Sequence, residues 1–132
     1  MSKVSLMKAP YVDIQFDESN NVIVAKWIGF LKPDEIKKGC SFMTKYIKDN
    51  RIKVHLSDHR DLKVLSKEAQ DYLTREWFPE VEKVGLVKVG AVVAEDVFAA
   101  ATVSKVNKEG QVGKLSINMF NSESECFKWL LN

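Results

Sequence analysis

The stretch VIVAKWIGFLKPDEIKKGCSFMTKYIKDNRIKVHL, from Val22 to Leu56, decides the fold. Its opening run, Val22 to Ile28, is almost continuously apolar, as a strand covered on both faces must be, and Gly29 closes it. Pro33 suits the first turn of a helix, where its missing N–H costs nothing, and Asp34 and Glu35 complement the positive helix end. Ile36, Cys40, Met43 and Ile47 then recur at helical spacing until Asp49 and Asn50 end the helix. Ile52 to Leu56 reads as a short inner strand. A strand, a helix and a second strand in this succession predict a right-handed crossover within one sheet.

Towards the N-terminus, Val12, Ile14 and Phe16 alternate with Asp13 and Gln15, and Asp17 to Asn21 is rich in turn formers, so a hairpin precedes the crossover. Residues 1–10 are expected to be a flexible arm, leaving 11–132 as a single domain. Towards the C-terminus, Ser66 is a suitable N-cap for a helix carrying Ala69, Tyr72, Leu73 and Trp77 on one face, which Pro79 kinks or restarts near Phe78. Gly85 marks a break, and Val87, Val89, Ala91, Val92 and Val93 form the most strand-like run. Asp96 is placed to cap an Ala-rich helix from Val97 to about Val106, and Lys108 to Gly113 reads as a loop. Leu115, Ile117 and Met119 make a last strand. A final helix follows, started by the capping-box spacing of Ser122 and Glu125 and striped by Cys126, Trp129 and Leu130. The expected fold is α/β: a mixed five-stranded sheet with about four helices, in the order β-β-α-β-α-β-α-β-α.

At 132 residues the chain is large enough for one core without disulfides or metals. The two cysteines, Cys40 and Cys126, fall on separate helices with no CxxC or Cys/His spacing, so they read as buried thiols of a reducing compartment. No apolar run has signal-peptide length or approaches the roughly twenty residues of a membrane span, which points to the cytoplasm. The net charge of +2 is too small to imply a nucleic-acid partner. It is unevenly spread: residues 32 to 67 hold ten Lys/Arg against five Asp/Glu, a pattern that suits a solvated helix face or an acidic partner.

His55, Asp58 and His59 are the one His/Asp cluster and contain the donor types of a zinc or iron site. Ser57 to Asp61 reads as the loop after the strand, which gives these side chains no common direction, so no metal is expected. Ser57, Asp58 and His59 are also adjacent, whereas a nucleophile, its base and an orienting acid normally come from separate segments. An enzyme reading rests only on Asp58, His59 and Arg60 near a strand end. Asp58 and Arg60 are expected instead to cap backbone groups or to pair with each other. Because ligand crevices of open α/β sheets lie at this strand end, Ser57, Asp58, His59, Arg60 and Ser66 are the candidate ligand or partner surface. Phe78, lying off the stripe of Ala69, Leu73 and Trp77, joins them. The glycines form no nucleotide fingerprint, and no cofactor is implied.

The order of elements, with GFLKPDE at Gly29 to Glu35, HLSDHRDLKVLS at His55 to Ser66 and FNSESECFKWL at Phe120 to Leu130, resembles the STAS fold in its SpoIIAA-like branch of small bacterial proteins. The resemblance spans about Tyr11 to Leu131. It implies a non-catalytic regulatory module that works by binding a protein partner. In anti-sigma-factor antagonists a serine in an Asp-Ser-Ser-Gly-like stretch is phosphorylated. Ser66 is the nearest counterpart here, but Lys67, Glu68 and Ala69 follow where small residues and glycine are expected. The further likeness of this branch to CRAL-TRIO lipid-binding folds implies, as the alternative, a small apolar ligand or lipid. A homodimer is the default if the chain self-associates.

Overall fold

The computed structural model describes residues 3–103 and 109–132. The chain opens with three antiparallel strands, β1 (Lys3–Ala9), β2 (Val12–Asp17) and β3 (Val22–Trp27), and a short β4 (Gly29–Leu31) leads into α1 (Pro33–Asn50). β5 (Val54–Asp58) and β6 (Leu62–Leu65) follow, then α2 (Lys67–Tyr72), a π turn (Leu73–Trp77) and α3 (Phe78–Lys83), which run on from one another. β7 (Lys88–Val92), α4 (Glu95–Val103), β8 (Glu109–Val112), β9 (Leu115–Phe120) and α5 (Glu123–Leu130) complete it.

The main sheet has seven strands in the order β1-β2-β3-β5-β7-β9-β8; β3, β5, β7 and β9 are parallel, and antiparallel pairs close both edges. The five expected strands are thus β2, β3, β5, β7 and β9 at its centre. Four more surround them. The stretch expected to be a flexible arm pairs with β2 as β1, with a bulge between Ser5 and Met7, and the expected loop at 108–113 contains β8, which pairs with β9. β4 and β6 form a separate two-stranded parallel sheet. The Ala-rich helix begins at Glu95, one residue before the expected cap Asp96, and its expected end near Val106 lies outside the described residues.

Period-2 alternation sends each central strand's side chains to two cores. Ile14, Ile23, Ala25, Trp27 and Val89 face α1 and the α2–α3 segment, whereas Val22, Val24, Leu56 and Val92 face Cys126 and Leu130 of α5. Gly39 of α1 lets the helix lie against the Trp27 indole, because a Cβ there would sit 2.7 Å from the ring. Lys32 N–H donates to Glu35 Oε1 at the start of α1, and Arg51, in the left-handed conformation, ends it by donating to Ile47 O. Ser122 accepts from Glu125 N–H at the start of α5, at the expected spacing. Burial pushes the Cys40 thiol well above its ordinary range and the Cys126 thiol up to about 12.

Candidate functional site

β5 runs two residues further than expected: Ser57 and Asp58 belong to the strand rather than to the loop after it. Strand alternation therefore continues through the candidate cluster and divides it. His55, Ser57 and His59 line a pocket on the α1 side, while Asp58 turns towards α5. The three groups considered as metal ligands thus lie on opposite faces of one strand, and no group of three or more His, Cys, Asp or Glu side chains able to hold a metal occurs among the described residues.

On the α5 side the Asp58 carboxylate, only 5% exposed, accepts from Arg60 at Nε (3.0 Å), Nη2 (2.8 Å) and the backbone N–H (3.1 Å). Arg60 Nη2 also reaches Glu123 Oε2 at 3.2 Å. Burial alone would raise the Asp58 pKa, but the hydrogen bonds and charge of Arg60 outweigh it and hold the carboxyl below its usual range. The expected pairing of Asp58 with Arg60 is present, and it ties the exit of β5 to α5.

The α1 side is different in kind. A pocket of about 60 Å³ lies between the sheet, α1 and the π-turn segment, in a measure by which one water needs about 10–15 Å³. Its closed end is made of buried Trp27, Ile36, Cys40, Met43, His55 and Trp77. Its mouth is made of half-buried Leu62, Leu65, Leu73, Phe78 and His59. Among the described residues, no Lys, Arg, Asp or Glu lines it.

The local sequence explains the roof. Pro79 has no N–H to donate, and the chain accommodates it through the π turn, in which Phe78 N–H reaches back to Leu73 O. Both consecutive aromatics, Trp77 and Phe78, then line the pocket. Trp77 is pinned to α1 by its indole N–H, which is 3.1 Å from Cys40 O and 3.0 Å from Thr44 Oγ1. Its ring meets the His55 imidazole edge-on, with centroids 5.8 Å apart.

His55 is 1% exposed, and its Nδ1 lies 2.8 Å from Ile23 O. A carbonyl can only accept, so Nδ1 carries the proton and Nε2 presents a bare lone pair. That Nε2 is buried and has no hydrogen-bond partner among the described residues. Burial, reinforced by the charge of His59 and partly offset by the Ile23 bond, lowers the His55 pKa to about 4. His59 is likewise lowered to about 4 by burial, against the pull of Asp58, and its Nε2 lies 2.7 Å from Ser57 Oγ. Ser66 stands apart from the lining residues, its hydroxyl accepting from Ala69 N–H as the expected N-cap. The orphaned histidine nitrogen and the pocket itself were not anticipated from sequence. The signal available was a histidine inside an apolar strand, in phase with Ser57 and His59.

The chain is similar in structure to an uncharacterized protein of the DUF3478 family with a SpoIIAA-like fold, from Shewanella loihica PV-4. The TM-score is 0.61 at 16% identity, over 95% of this chain and 99% of that one. The chain therefore has the SpoIIAA-like fold that the sequence resembles. No family model matches it, and neither does any curated protein. No helix among the described residues is long and apolar enough to cross a membrane.

Proposed function

We propose that this chain of SpoIIAA-like fold is a non-catalytic binding module whose ligand is a small, uncharged, largely apolar molecule held between β5 and the π-turn roof. The pocket carries this reading: its walls are apolar and aromatic, its serine and histidines come from β5 and the residue that follows it, and among the described residues no Lys, Arg, Asp or Glu lines it. Ser57 and His59 have the separation of a nucleophile and its base, yet the chemistry argues against that role. An imidazole with a pKa near 4 is a weak base, and the neighbouring Asp58, which could orient it, faces the other side of the strand in the grip of Arg60.

The test is native mass spectrometry of the protein purified gently from its own host, alongside an Ala91→Leu variant that fills the pocket. A retained small molecule in the wild type, absent from the folded variant, is the expected outcome. A wild-type protein that retains nothing and binds no apolar probe would end this reading, and turnover of a simple ester would end the non-catalytic part of it.

A protein partner is the second reading. Phe30 is 73% exposed and Val64 49%, and the two are paired side by side on the outer face of the β4–β6 sheet, whose inner residues Leu31 and Leu65 line the pocket. Ser66 follows directly, so a phosphate there would add nearly two negative charges beside this patch. Loss of a co-purifying partner in both Phe30→Ser and Ser66→Glu would support this reading; unchanged co-purification in both would remove it.

A further inference from the structure

The pocket's closed end specifies one more property of its ligand. Among the described lining residues, besides the indole N–H groups of Trp27 and Trp77 and the Cys40 thiol, the polar side chains are His55, Ser57 and His59. Ser57 and His59 satisfy each other at 2.7 Å. His55 does not share in this. Its Nδ1 proton is committed to Ile23 O, and its Nε2, fully buried, has no partner among the described residues. A buried lone pair of this kind is costly to leave unmatched, and it can be matched only by a donor.

We propose that the ligand carries a neutral hydroxyl group that donates its hydrogen bond to His55 Nε2, with an apolar body extending towards Leu73 and Phe78 at the mouth. The inference rests on the ligand-binding reading above and narrows it to a chemical class, the alcohols and phenols. A hydrocarbon would leave Nε2 unmatched. An ether or ester of the same shape would set one acceptor against another. A carboxylate would bring a charge into a pocket with no cation and two imidazoles held neutral, where its desolvation would go uncompensated. The tautomer is set by a backbone carbonyl of the neighbouring strand β3, so the acceptor exists before any ligand arrives. The perpendicular Trp77 ring also holds the imidazole plane in place.

The experiment compares phenol with toluene, which are near-isosteric and differ in the donor, with benzoate as the charged comparator, on full-length protein labelled with ¹⁵N at histidine. Phenol is expected to move the His55 Nε2 resonance upfield from its bare, pyridine-type position, and toluene, though bound, to leave it in place. Because toluene is more readily driven out of water, the affinity ratio is read against a His55→Phe variant. The phenol-to-toluene preference should fall by about tenfold or more on that substitution, the size expected for a buried hydrogen bond and the penalty for its absence. Benzoate should bind at least about tenfold more weakly than phenol. The wild-type resonance decides the matter even if the variant does not fold. Toluene and phenol both binding with Nε2 unmoved, or benzoate binding as well as phenol, would overturn the hydroxyl assignment while leaving an apolar-ligand module intact. Binding of none of the three would overturn both.

Discussion

Lowering the pH from 7.5 to 5.0 should destabilise this protein through its buried histidine. His55 titrates near 4 in the native state and near the ordinary 6.5 once unfolded. Between those values the unfolded chain binds a proton that the native chain refuses, so stability is fully present above pH 6.5 and drains away as the pH falls towards 4. At pH 5.0 the loss from this one group is about 2 kcal/mol, taking 1.36 kcal/mol per pKa unit and allowing for partial protonation. His59 is shifted in the same direction and adds to the loss, and a His59→Gln variant leaves the His55 part alone. Asp58, whose pKa is lowered by Arg60, contributes stability that is present above the ordinary carboxylate pKa and is lost only as the pH falls through the lowered one, so it adds nothing to the loss at pH 5.0. With a urea slope of about 1–3 kcal/mol per molar, the unfolding midpoint should drop by roughly 0.7–2 M from His55 alone. Urea titrations at the two pH values, followed by tryptophan fluorescence, measure this. An unchanged midpoint together with a His55 resonance that titrates near 6.5 would refute the reasoning, because the imidazole would then be reaching water.

Three substitutions probe the rest of the frame. Asp58→Asn removes the charge that Arg60 grips at 2.8 and 3.0 Å and should cost about 1–3 kcal/mol by urea unfolding at pH 7.5, with a difference that shrinks as the pH falls through the lowered titration of the wild-type carboxyl. Trp77→Phe strips a buried donor from Cys40 O and Thr44 Oγ1 and opens the roof of the pocket; the expected cost is about 2–3 kcal/mol, and hydrogen exchange across 67–83 should rise. Ser66→Ala removes the cap on Ala69 N–H and should cost about 1 kcal/mol without altering probe binding, measured by thermal unfolding beside a phenol titration.

How much of this was legible in the sequence depended on how each element earns its place. α1 and α5 announce themselves through stripe and cap, and β2, β3, β7 and β9 through alternation or apolar runs long enough to read. β1, β4, β6 and β8 are edge or auxiliary strands of three to seven residues. Their pairing depends on a neighbour being in place, and lysines and two glycines, Gly29 and Gly110, interrupt whatever pattern they have. Ending β5 at Leu56 had the largest effect on the site. Ser57 and Asp58 are poor strand formers, yet parallel neighbours on both sides hold them extended, and those two residues decide which side chains share a face. The pairing of Asp58 with Arg60 could be read from adjacency. The pocket could not, because a cavity is what packing leaves over and no residue encodes it alone.

The π turn has a consequence best put in genetic terms. A π turn holds one residue more than the α-helical turn it replaces, so the roof of the pocket is one codon wide. Deleting Thr74 in frame would let the segment from Lys67 to Trp77 wind as a regular helix, and because the π turn is what absorbs the extra residue, α3 beyond it would keep its register. What would be lost is the widened turn itself, on which Trp77 and Phe78 sit. A single three-base deletion at an exposed position, touching no lining residue, therefore separates the shape of the turn from the identity of the side chains it carries.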